Sequence, residues 1–124
     1  MEESGKSRHG DELVVITKAF ELAREMTQRT RKIPRDLKFV LGDRILNTTY
    51  DILDLLIEAK YSRQKKELLE RANLFLERLR FQVRLCFEEK LISVKQYEYI
   101  AGIIQEVGKM IGGWAKSVRS PPPV

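Results

Sequence analysis

Residues 93–118 read SVKQYEYIAGIIQEVGKMIGGWAKSV. The apolar positions fall at Ile100, Ile103, Ile104, Val107, Ile111, Trp114 and Val118. Steps of three and four put them on one face of an α-helix. Ser93 followed by Gln96 has capping-box spacing, in which each residue satisfies a backbone amide at the helix start. The stretch therefore predicts a long amphipathic helix that needs other helices to cover its face. Ala101, Gly108, Gly112 and Ala115 share one side of it and would let a neighbour approach closely. Gly108-Lys109 and Gly112-Gly113 lack the Gly-x-x-x-x-Gly-Lys-Ser/Thr order of a phosphate loop.

Three more segments with the same period precede it. One begins after Ser62, a candidate N-cap, and runs to about Lys90 with the stripe Leu68, Ala72, Phe75, Leu76, Leu79, Val83 and Cys86. Another begins near Pro34, well placed in a first turn because the missing donor would be unpaired there. It ends near Tyr61, and its stripe is Leu37, Leu41, Ile45, Ile52, Leu56 and Ala59. The first runs from about Asp11, a candidate N-cap, to about Thr30, with Leu13, Ile16, Phe20 and Ala23 as its stripe. No strand-like alternation interrupts them. The last three helices would each be about 40 Å long. Short links between rods of that length force antiparallel neighbours. The expected fold is all-α, an up-down-up-down four-helix bundle over residues 11–119. Residues 1–10 read as a polar, flexible tail. Residues 120–124, with Pro121, Pro122 and Pro123, read as an extended end.

The 124 residues fit one domain, and 43% hydrophobic with 33% charged residues supply a core and a solvated surface. The charge of +5 favours acidic partners, nucleic acid first among them, while also serving as an ordinary solubilising charge. A single cysteine, Cys86, rules out an internal disulfide and fits a reducing, cytoplasmic setting. No apolar run approaches the roughly 18 residues of a membrane span.

Two of the helices carry an extra apolar stripe. Leu74, Phe81 and Leu85 lie nearly opposite Leu79, and Phe39, Leu46, Leu53 and Ile57 lie well round from Ile52. Apolar strips of this kind mark interfaces, so self-association into a closed cyclic or dimeric assembly is expected. Overlapping wide core faces would produce the same pattern.

Catalytic groups are scarce. His9 is the only histidine and falls in the N-terminal tail, and Cys86 falls on a core stripe with no base placed beside it. No Glu-x-x-His pair exists, and the adjacent Glu88 and Glu89 point in different directions, so neither a metal nor a cofactor is expected. The cations are more informative. Arg29, Arg31, Lys32, Arg35 and Lys38 crowd the first turn against Asp36 alone. Arg80 and Arg84 stand one turn apart, with Lys66 on the same side, and could grip phosphates or a partner's carboxylates. The same spacing also admits intrahelical pairs, Glu77 with Arg80 and Arg84 with Glu88. Aromatic residues do not interleave with these charges along the chain, so contact with a nucleic-acid backbone is expected rather than base reading.

Ile33-Pro34-Arg35, Leu79-Arg80-Phe81 with Arg84-Leu85, and Glu106 to Trp114 (EVGKMIGGW) together resemble Avd, the accessory variability determinant of diversity-generating retroelements. The resemblance runs from about Leu13 to Arg119. A broader four-helix family, including proteins encoded in intervening sequences of bacterial ribosomal RNA, shares the architecture. The Avd resemblance implies a homopentamer of four-helix protomers that partners a reverse transcriptase and its template RNA, with DNA as a further ligand, in mutagenic retrohoming. It implies an accessory subunit, not the polymerase. Arg35, Arg80 and Arg84 carry over by motif, and Arg31, Lys32 and Lys38 join them on local charge. The alternative is a protein-interaction bundle of the intervening-sequence type.

Overall fold

The computed structural model describes residues 2–118, and for residues 2–11 the backbone path alone. Helix α1 spans Glu2–Thr30. A short helix α2, Arg35–Leu37, runs through a π turn, Lys38–Gly42, into α3, Asp43–Tyr61. Helices α4, Lys65–Glu88, and α5, Val94–Ser117, complete the chain. α1 packs on α3 and α5, and α4 packs on α3 and α5, which makes a four-rod bundle with α2 and the π turn leading into its second rod. No strand occurs among the described residues.

The stripes of α4 and α5 are buried where the period puts them, with Leu76, Leu79, Ile100 and Val107 at 0% exposure, save Phe75 and Val118, which are half-buried at the core edge. The capping box at Ser93 and Gln96 is formed, at 3.1 Å and 2.9 Å. Phe87 stacks on Tyr97 at 4.5 Å between centroids, which pins the end of α4 to the start of α5.

Three expectations need correction. α1 is helical from Glu2, so Asp11 stands inside it rather than at its N-cap, and residues 2–10 are not an irregular tail. Gly5 and Gly10 each cost a helix about 1 kcal/mol, which an already nucleated helix can carry. Secondly, the core face of α1 is Val15, Ala19, Leu22, Ala23 and Met26, while Leu13 and Phe20 are 54% and 55% exposed. Both stripes have helical spacing, and the path of α3 and α5 along α1 selects the one that is buried. Thirdly, Leu37 is exposed. In the π turn the Asp43 N–H reaches back to the Lys38 carbonyl, which inserts one residue and turns everything before it by about 100°. Leu41, after the shift begins, packs at the edge of the core. Residue 1 and residues 119–124, including the three prolines, lie outside the described residues, as does the His9 side chain.

α4 ends in a Schellman motif. The Lys90 N–H donates to the Phe87 carbonyl at 3.0 Å and the Leu91 N–H to the Cys86 carbonyl at 2.8 Å. Lys90 therefore sits at φ 62°, the left-handed position where glycine is usual. Lys90→Gly is expected to raise stability by about 0.5–1 kcal/mol, because the relieved steric cost exceeds the entropy that glycine adds to the unfolded chain. Urea melts of the two proteins check this; an unchanged or lower midpoint would contradict it.

Candidate nucleic-acid interface

The turn between α1 and α2 is closed by backbone hydrogen bonds, Lys32 N–H to the Arg29 carbonyl at 3.1 Å and Ile33 N–H to the Thr30 carbonyl at 3.2 Å. Ile33 is buried and anchors the turn to the core. With Ile33 pulled inward, Arg31, Lys32, Arg35 and Lys38 all face solvent. None of these four forms an ion pair with another described residue. Arg29 differs: its Nε donates to Glu25 Oε2 at 2.8 Å, so it is already neutralised. Four unpaired cations on a rigid, anchored turn suit sequence-independent contact with phosphates.

On α4 the intrahelical pairs are formed. Arg80 Nε donates to Glu77 Oε1 and Arg84 Nε to Glu88 Oε2, both at 2.8 Å. The hydrogen bond from Arg84 to Glu88, and then the Glu88 charge, raise the Arg84 pKa above its ordinary value, so it stays charged. Both pairs are solvent-exposed, where such pairs contribute little and exchange partners readily. Lys66, on the same side, is exposed as well. Arg80 also lies across α5. A methyl group on Gly108 would stand 3.3 Å from Leu76 Cδ2 and 3.8 Å from Arg80 Nη2, so the bare backbone there permits the close approach of α4. Gly112 does not share this role, since nothing lies within 4 Å of a Cβ built on it.

The apolar residues outside the core divide into two groups. Leu74, Phe81 and Leu85 are 52%, 65% and 48% exposed on the outer face of α4, and Phe39 is exposed in the π turn. Leu46 and Leu53, by contrast, are half-buried against the core edge. Leu53 lines a groove with Phe20, Ala23 and Tyr50, so this stripe of α3 belongs to its boundary with α1. The wide faces of α1 and α3 overlap there and partly cover it.

Residues 13–118 match the family model described as bAvd-like. The chain belongs to the bAvd-like family. No curated protein matches it. Among solved structures, this bAvd-like chain is similar to a protein of unknown function from the S23 ribosomal protein family of Bacteroides thetaiotaomicron. The two are 22% identical with a TM-score of 0.80, over 86% of this chain and 99% of that one. That likeness carries the fold alone.

Among the described residues of the bAvd-like chain, no cluster of His, Cys, Asp or Glu could hold a metal ion, and no helix is long and apolar enough to cross a membrane. Cys86 is buried, and burial pushes its pKa from 9.0 up to about 11. The neutral thiol is favoured by folding. This contribution to stability is therefore complete below about pH 9 and is lost as pH rises through about 11. Alkylation of Cys86 by iodoacetamide near neutral pH is expected to be at least about a hundredfold slower in the native protein than in urea, since the thiolate is scarcer by that factor. Equal rates would contradict its burial.

The sequence puts Phe20 on a core stripe and gives Arg24 and Tyr50 no role, whereas all three line one groove. The spacing Phe20, Arg24, Thr27, Arg31, in steps of four, three and four, was a usable signal on α1. Tyr50 comes from α3 and shares no sequence pattern with it.

Proposed function

We propose that this bAvd-like protein is a non-enzymatic accessory subunit of a diversity-generating retroelement. It binds the element's reverse transcriptase and its template RNA, or the DNA copied from it, through basic surface residues. The observation that carries this reading is the set of four unpaired cations, Arg31, Lys32, Arg35 and Lys38, on the anchored turn between α1 and α2. Family membership supports the choice of partners. Arg80, half-buried beside Gly108 of α5, and the exposed Arg84 neighbour Phe81 and Leu85 of the exposed apolar strip of α4 in the sequence. There they serve protein contacts, to the polymerase or to a second copy, by exchanging Glu77 and Glu88 for a partner's carboxylates. The assembly is a cyclic homo-oligomer, a pentamer by resemblance, closed through Leu74, Phe81, Leu85 and Phe39, with Leu46 and Leu53 at its edge.

A filter-binding titration against RNA and DNA at several salt concentrations, paired with light scattering, tests the proposal. Affinity that falls steeply with salt, in a protein several times the protomer mass, is the expected result. A monomer without salt-sensitive binding would refute it. That outcome would favour the second reading, a protein-interaction bundle of the ribosomal-RNA intervening-sequence type.

A further inference from the structure

Folding assembles a second feature that borders the basic turn. A groove of about 430 Å³ lies between α1 and α3, lined by Phe20, Arg24, Thr27, Gln28, Arg31, Tyr50 and the apolar residues beneath. Its size falls within the usual range of small-ligand clefts. Phe20 is 55% exposed, and among the described residues no ring stacks on it. Tyr50 is held in place. The Thr27 hydroxyl donates its proton to the Ala23 carbonyl at 2.7 Å, so the 2.7 Å contact with Tyr50 has the phenol as donor. The phenol oxygen keeps its own lone pairs free to accept.

The charges in the groove have one sign. Arg24 and Arg31 line it, and no carboxylate does. Neither arginine forms an ion pair with a described residue. Arg31 belongs both to this groove and to the basic turn, so the two surfaces are continuous. An occupant must therefore bring anionic groups at the rim and a flat apolar body for the floor. An unstacked nucleotide has both, whereas a duplex offers its phosphates but keeps its bases stacked away.

We propose that this groove seats an unpaired base of single-stranded nucleic acid against Phe20 and Tyr50, with adjoining phosphates on Arg24 and Arg31. The inference rests on the nucleic-acid reading above and adds a preference for single strands. Filter binding of the full chain to oligouridylate, and to the same strand paired with oligoadenylate, tests it. Phe20→Ala is expected to weaken single-strand binding about tenfold and leave duplex binding unchanged, with Phe20→Trp restoring the loss. Arg24→Gln and Arg31→Gln are expected to weaken both and to lower the salt slope by about one each. Phe20 is half-exposed, so a thermal melt should show the variants folded. A Phe20→Ala protein that loses nothing, or loses equally on both ligands, overturns the proposal. So does a fall in its light-scattering mass, which would assign the groove to a contact between copies. Binding of duplex by the wild type with a silent Phe20→Ala leaves the accessory-subunit reading standing, whereas a wild type that binds neither ligand removes both.

Discussion

Nucleic-acid affinity is expected to fall by roughly a thousandfold when Arg31, Lys32, Arg35 and Lys38 are all changed to glutamine. Each cation that neutralises a phosphate releases about 0.9 counterion, worth about 1 kcal/mol at physiological salt. Four contacts then amount to about 4 kcal/mol, or about three decades in affinity. The salt slope should drop by between three and four at the same time. The four residues are exposed and unpaired, so the bundle should melt where the wild type does. Arg80→Gln with Arg84→Gln is the contrast. Those cations already face Glu77 and Glu88, and their loss is expected to change nucleic-acid affinity by less than about threefold. A quadruple variant that binds like the wild type, or an α4 double variant that loses as much as the quadruple, would move the interface away from the turn.

Phe81→Asp combined with Leu85→Asp is expected to convert the proposed cyclic assembly to a folded monomer. Both side chains are exposed in the protomer, so neither contributes to its core, and the intrasubunit fold should survive. In an assembly they would be buried, at about 1.5–3 kcal/mol each. Aspartates in their place would remove that and leave unpaired charges in a desolvated contact. A shift of more than about a thousandfold in the assembly equilibrium follows from these two terms. Light scattering reads it as a fall to the protomer mass of 14.5 kDa with helical circular dichroism retained. Retention of the wild-type mass would place the subunit contact elsewhere. The half-buried Leu46 and Leu53 are expected to contribute less, because they already cover part of their surface against their own core.

The basic turn was legible from the chain because it is local: five cations in ten positions around Ile33-Pro34, whichever way the helices pack. The pairing of Arg80 and Arg84 was not, since the same spacing serves an intrahelical carboxylate or an external one. The groove was further out of reach. Phe20 and Arg24 lie one turn apart on α1, but Tyr50 meets them only when α3 docks, and the linear sequence shows no mixing of rings and charges.

The four-rod layout and the core faces of α4 and α5 were determined by the sequence alone, while the break of the second rod into α2, the π turn and α3 was not. α5 carries one apolar stripe, and on α4 the core stripe is longer and denser than the extra one of Leu74, Phe81 and Leu85; a backbone repeating every 3.6 residues turns each longer stripe directly into a buried face. α1 offers two stripes of equal spacing, and only the tertiary structure buries Val15, Ala19, Leu22 and Met26 while leaving Leu13 and Phe20 in water. The phase of Leu37 was lost in the same way, through one residue inserted by the π turn. Periodicity is a property of neighbours along the chain. The choice between two equivalent faces depends on burial summed over helices far apart in sequence, and no local pattern contains that sum.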